Sequence, residues 1–193
     1  MTSFADTVKQ TLLKYSEQKV TDKADYHAYE FVYPELLEYL NGKENLNILE
    51  IGVSKGGSMR CWMDIFPNAT FYGIDYNLSI CAEDIRNHPR VNLVEMSQSD
   101  ERVKTLFPDV RFDLIIDDAS HKVDDQVTTF EMLTGRLSDI GKYVIEDIYP
   151  EHQYASEFYN KFTDIDITHL KNRGDDRMFV FPKLSNALLH AKK

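Results

Sequence analysis

LNILEIGVSKGGSMRCWMDIFPNATFYGID, residues 46 to 75, reads as strand, glycine-rich turn, helix and second strand, closed by an acidic residue. Ile48, Leu49 and Ile51 form a short apolar run suited to a parallel strand covered on both faces. Gly52, Gly56 and Gly57 follow where the chain must turn sharply, and glycine lets backbone pass close to a ligand. Met59, Trp62, Met63 and Phe66 then recur at helical spacing, which lays an apolar stripe on the sheet, and Pro67-Asn68 stops the helix. Ala69 to Ile74 reads as the second strand, with Asp75 at its carboxyl end. This is one nucleotide-binding half of a doubly wound α/β fold.

The turn is not the G-x-G-x-x-G of a dinucleotide site, which aims a helix N-terminus at pyrophosphate. From Glu50 to Ser58 the pattern is E-x-G-x-x-x-G-x-S, which resembles motif I of the class I S-adenosylmethionine (SAM) methyltransferases. The resemblance implies a SAM site built from Glu50, Gly52, Ser54, Gly56, Gly57 and Ser58, with Asp75 taking the two ribose hydroxyls. A carboxylate can accept both hydrogens at once.

Outward from this core, residues 3 to 17 look helical, with a capping-box-like Ser3 and Asp6 and an apolar face of Phe4, Val8, Leu12 and Tyr15. Residues 21 to 42 suggest a second helix with apolar Leu36, Leu37 and Leu40, kinked or restarted at Pro34 and ended by Gly42. His27, Tyr29 and Tyr33 cluster within it, the two tyrosines four apart on one face. Residues 1–45 are thus expected to be a helical lid or appendage on a core of residues 46–193. A helical Ile80 to Arg86 leads to strand three at Val91 to Glu95, after which Gln98 or Ser99 is a candidate to bond the adenine or its ribose, an ordinary polar strand-to-helix turn being the equal alternative. Strand four is Phe112 to Asp117, and Val127, Phe130, Leu133 and Leu137 mark a crossover helix before strand five at Lys142 to Asp147. A helix around Glu151 to Phe162 precedes strands at Asp164 to Leu170 and Arg177 to Pro182, separated by a hairpin around Gly174 that puts one antiparallel strand at the sheet edge. SNALLHAKK makes a short amphipathic end. The expected fold is a Rossmann-like, doubly wound, mostly parallel seven-stranded sheet with helices on both faces.

Composition limits the function classes. At 193 residues and 42% hydrophobic content one globular unit can bury a sufficient core. A net charge of −10 argues against a broad nucleic-acid surface. Cys61 and Cys81 lack metal or redox spacing, which fits a reducing interior, and no apolar run is long enough to span a membrane. The expectation is a cytoplasmic protein.

Strand four ends in Asp117-Asp118-Ala119-Ser120-His121 and strand five in Glu146-Asp147. These strands are neighbours in such a sheet, so Asp118, Glu146 and Asp147 converge beside the glycine-rich turn, with Asp117 adjoining the cofactor. Converging carboxylates repel one another unless a cation sits among them. Oxygen donors without thiols select Mg²⁺, with Mn²⁺ or Ca²⁺ as alternatives. I-I-D-D-A-S-H followed by V-I-E-D resembles the metal-dependent sugar O-methyltransferases of macrolide biosynthesis and the related cephalosporin hydroxylase-like proteins. The Asp22-Lys23, His27, Tyr29 stretch resembles the segment preceding the core in that group. The resemblance, over residues 21 to 182, implies Asp118, Glu146 and Asp147 as magnesium ligands and His121 as general base, acting on a hydroxyl of a sugar or small-molecule diol. Ala119 replaces a glycine common in that group, Met96-Ser97 stands where Gly-Asp precedes Gln-Ser, and the chain is much shorter than the macrolide enzymes. A catechol-type O-methyltransferase, a hydroxylase-like role and a non-catalytic SAM or nucleotide-binding module stay open as alternatives, as does a homo-oligomer. The implied partner is a small-molecule or glycan acceptor.

Overall fold

The computed structural model describes residues 2–149 and 156–184. Strands β1 (Asn47–Ile51), β2 (Thr70–Asp75), β3 (Val91–Glu95), β4 (Phe112–Asp117), β5 (Leu137–Ile145), β6 (Thr163–Asp166) and β7 (Arg177–Phe181) form one sheet in the order β3-β2-β1-β4-β5-β7-β6. The first five in that order pair in parallel, and β7 runs antiparallel to both β5 and the outermost β6. The antiparallel pairing therefore lies at the expected end of the sheet, with the antiparallel strand β7 one place in from the edge strand β6.

Side-chain alternation divides β1 between two cores. Ile48 packs with Leu114, Ile116, Val144 and Val180 on one face, under helix α1 (Phe4–Glu17) and helix α3 (Gly57–Ile65). Leu49 and Ile51 pack with Ile115, Tyr143 and Ile145 on the other, under Val123, Phe130 and Leu133 of helix α5 (Val123–Leu133). The period-2 pattern thus gives each strand two buried faces, as a covered parallel sheet requires.

Several elements depart from the sequence reading. Residues 21 to 42 form no single helix; a one-turn α2 (Tyr33–Leu36), with Pro34 in its first turn, lies between two 3₁₀ turns. The segment from 78 to 86 is likewise split, into a 3₁₀ turn and the short α4 (Glu83–Arg86). The crossover helix ends at Leu133, and Leu137 already pairs with Phe112, so β5 begins earlier than Lys142 and its register shifts before Leu114 pairs with Lys142. Near the carboxyl end, α6 (Ser156–Tyr159) is the described part of the expected helix and α7 (Thr168–Lys171) replaces the end of the expected sixth strand. Residues 150–155 and the SNALLHAKK end lie outside the described residues. Ser3 caps α1 by accepting the Asp6 amide at 3.1 Å, and its hydroxyl donates to the Asp6 carboxylate. No helix among the described residues is long and apolar enough to cross a membrane.

Candidate active site

The sheet order reverses between β1 and β4, and at such a switch point the carboxyl ends of the strands open a crevice. Here it is a cavity of about 340 Å³. Gly52, Ser54, Asp75, Gln98 and Asp118 line it, together with Tyr76, Ile80, Met96, Ser97, Ala119 and Ser120, which the motif reading did not assign.

Backbone geometry explains the turn. Gly52 has φ of 90° and donates its N–H to Ile74 at 2.8 Å; a Cβ there would lie 2.1 Å from the Asp118 carbonyl oxygen. Only glycine fits so close to the neighbouring chain. The Ser54 N–H donates to Asp75 Oδ2 at 2.7 Å, and the Asn77 N–H donates to Oδ1 at 2.8 Å. The acid ending β2 is thereby fixed against the turn, and each oxygen keeps a second lone pair for a ligand hydroxyl. Gly56, at φ of 82°, starts α3.

The other cofactor candidates do not line the cavity. Glu50 is fully buried under α3, where Trp62 Nε1 donates to its Oε1 at 3.2 Å, and burial pushes its carboxyl up to about 7. Ser58 is buried in the first turn of α3, and Gly57 meets the Val20 carbonyl, 1.9 Å from where a Cβ would stand. Gly57 thus serves the packing of the N-terminal segment. Ser99 is exposed and pairs with Ser97. Asp117 is buried, receives bonds from Tyr143 at 3.0 Å and Gln98 at 3.2 Å, and is pushed up to about 7 by burial. Gln98 also donates to Thr129 and accepts the Ser120 N–H at 2.9 Å, so its amide braces the loop after β4.

Beyond Asp118 lies the acidic cluster, and the structure fills it with side chains from the N-terminal segment. Lys23 Nζ, 1% exposed, is 2.8 Å from Asp118 Oδ2 and also bonds Glu146 Oε2. Tyr33 donates to Glu146 Oε1 and Tyr29 to Asp147 Oδ1, while the Asp147 N–H donates to the Tyr29 hydroxyl at 3.2 Å. Burial and carboxylate neighbours hold both tyrosines well above their usual range, so both are donors. Burial opposes ionisation of Asp118, but Lys23 beside it prevails and its carboxyl titrates low. Glu146 and Asp147 are pushed up, first by burial and then by acidic neighbours. Lys23 remains an ammonium because Asp118 and Glu146 outweigh its burial.

His121 and Asp147 both adopt left-handed backbone, φ of 56° and 55°. Such strain in non-glycine residues persists where the surroundings enforce it, and it clusters at functional sites. His121 Nε2 is 3.9 Å from Asp147 Oδ2, and its buried Nδ1 has no partner among the described residues. One ligand atom each from Asp118, His121 and Asp147 fall within 4.8 Å of one another. Such a donor set fits a hard divalent ion. Glu146 adjoins this group, but both its oxygens are already engaged by Lys23 and Tyr33. His27 links the cluster to the residue just before β7, with Nδ1 2.8 Å from Asp176 Oδ1 and 3.6 Å from Asp147 Oδ1. The sequence reading noted the cluster of His27, Tyr29 and Tyr33 and gave Lys23 no role at the acids, although a lysine close to two tyrosines, opposite three acids in need of a cation, was the available signal.

No protein-family model matches the chain. The 8-demethyl-8-alpha-L-rhamnosyl tetracenomycin-C 2'-O-methyltransferase of Streptomyces olivaceus is 31% identical over 153 residues, 75% of this chain and 39% of the relative. Demethylmacrocin O-methyltransferase of Streptomyces fradiae is 33% identical over 124 residues, 58% of this chain and 29% of the relative. The chain therefore spans well under half the length of these curated relatives. Among solved structures, the MycE methyltransferase from the mycinamycin biosynthetic pathway, in complex with Mg, SAH and mycinamycin VI, has a TM-score of 0.58 at 26% identity over 78% of this chain and 41% of that one. The SAH-bound Podospora anserina methyltransferase PaMTH1 has a TM-score of 0.58 over 91% of this chain and 86% of that one, and at 16% identity it speaks for the fold alone. The chain has the fold of the class I SAM-dependent methyltransferases, and in sequence it is similar to a rhamnosyl tetracenomycin-C 2'-O-methyltransferase, to demethylmacrocin O-methyltransferase and to a methyltransferase of the mycinamycin biosynthetic pathway.

Proposed function

We propose that this chain is a SAM-dependent, Mg²⁺-dependent O-methyltransferase acting on a hydroxyl of a sugar or small-molecule diol. The observation that carries this reading is the junction of two sites: Asp118 lines the cavity that holds Gly52 and Asp75, and it also belongs to the cluster with His121 and Asp147. A cofactor and a hydroxyl acceptor held in those places would be neighbours, which is what transfer between them requires. The rhamnosyl tetracenomycin-C relative named above supports the sugar as acceptor class.

The residues divide the work. Gly52 lets backbone approach the cofactor, and Asp75, already oriented by two amides, takes the ribose hydroxyls. Asp118 and Asp147, with Glu146 behind them, are assigned to the metal. Bound there, Mg²⁺ would supply Lewis acidity that lowers the pKa of an acceptor hydroxyl, and SAM a methyl already activated on sulfonium. His121 stands at the rim of the cluster with its side chain 28% exposed, and it takes the hydroxyl proton. The strained backbone at His121 and Asp147 fixes both groups before a ligand arrives.

Calorimetric titration of SAM, with Mg²⁺ and with chelator, followed by Mg²⁺ into the SAM-loaded protein, tests this reading. Both ligands should bind, and Asp118→Ala should lose the magnesium heat. With a panel of vicinal diols, His121→Ala should cut turnover by roughly 10²–10⁴-fold while SAM affinity stays within a few-fold. Absence of any magnesium heat in the parent protein would remove the metal role, and equal loss of SAM binding in His121→Ala would make His121 structural.

A further inference from the structure

Lys23 comes from the segment between α1 and α2, yet its ammonium ends among carboxylates from the carboxyl ends of β4 and β5. It is 1% exposed, bonds both Asp118 and Glu146, and lies 5.8 Å from the centre of the Tyr29 ring. A buried lysine is tolerated only where anions replace its water, and a lysine has three N–H donors to give them. The groups facing it are Asp118, Glu146, Tyr29, Tyr33 and, farther off, Glu50. Asp118, Glu146 and Asp147 carry three negative charges when ionised, and one lysine leaves two, the charge of a divalent cation.

We infer that Lys23 is a built-in cation of this cluster: it holds Asp118 and Glu146 together in the metal-free chain, and it weakens by its charge the cluster's hold on a divalent ion. Lys23 is a positioning residue: it bonds the carboxylates and does not line the cavity. Its ammonium occupies the N-terminal side of the cluster, leaving the side of His121 and Asp147 for the ion. The second half of the inference rests on the metal reading proposed above, and the first half does not.

Thermal melting in chelator tests the first half, using the parent protein, Lys23→Met, Glu146→Gln and the double variant. Lys23→Met should melt roughly 10 °C lower, since breaking a buried pair strands its charged partners. Glu146→Gln should lower the melting temperature of the parent but raise that of Lys23→Met, because it removes a stranded charge. A Lys23→Met variant melting within about 2 °C of the parent, or Glu146→Gln lowering both alike, would overturn the inference. Magnesium titration tests the second half: Lys23→Met should bind Mg²⁺ about tenfold more tightly, and equal or weaker binding would overturn it. Should Lys23→Met not fold, reductive methylation of the folded parent, read by mass spectrometry, decides the first half. Lys23 should stay unmodified while exposed Lys43 is labelled, and labelling at the same rate would overturn it. A parent protein that binds no Mg²⁺ sinks the metal reading alone, because the melting comparison contains no metal.

Discussion

Glu50 shows how one side chain ties stability to pH. It has no exposed surface, one indole donor, and an Oε2 without a partner among the described residues. Burial raises its carboxyl to about 7, above the 4.5 of a free glutamate, so the folded chain favours the protonated form. Between those values the native state binds more protons than the unfolded one, and stability falls as pH rises. The contribution is intact below about pH 4.5 and is lost through pH 7, amounting to roughly 3 kcal/mol by pH 8. Glu50→Gln, which is neutral throughout, should therefore melt higher than the parent at pH 8 and near it at pH 5. A melting difference that is the same at both pH values would show that Glu50 is not the titrating group.

The element that controls the site's assembly is the close approach of the N-terminal segment to the start of α3. A methyl at Gly57 would meet the Val20 carbonyl at 1.9 Å, whereas one at Gly135 would meet nothing within 4 Å. Gly57→Ala should cost about 1–3 kcal/mol and speed amide exchange over residues 20–33, while Gly135→Ala should stay within about 0.5 kcal/mol of the parent. Equal effects at the two positions would refute the contact. The same contrast explains what could be read in advance. The bounds of strands three and four, and the glycine turn with Asp75, followed from apolar runs and punctuation, which are local signals. The stretch from 21 to 42 could not be read that way, because Lys23, Tyr29 and Tyr33 are placed by carboxylates on distant strands. Hydrophobic periodicity registers burial and is blind to a buried charge with a remote partner. Gln98 was likewise legible as a residue at the cavity and illegible as the brace between Asp117, Ser120 and Thr129.

Across the whole molecule, residues before β1 supply much of one core: Val8, Leu12, Tyr29, Val32, Tyr33 and Leu37 pack in the cluster that contains Ile48, Trp62 and Leu114. A chain beginning at Leu46 would uncover that face of the sheet, and we expect it to aggregate on expression, as light scattering would report. A monodisperse, cooperatively melting truncation would instead make the first 45 residues dispensable to the fold. The span of the Lys23 contacts also has a temporal meaning. Its partners lie 95 and 123 residues further along the chain. Closing loops of that length precedes any reward from the contact, so such pairings form late on the way to the native state. During synthesis the ammonium leaves the ribosome long before either carboxylate, and it waits in water until β5 has been made. The acid cluster is thus completed only once β1 to β5 have been made, and a half-folded chain, even one with its glycine turn in place, holds a lysine still without its acids.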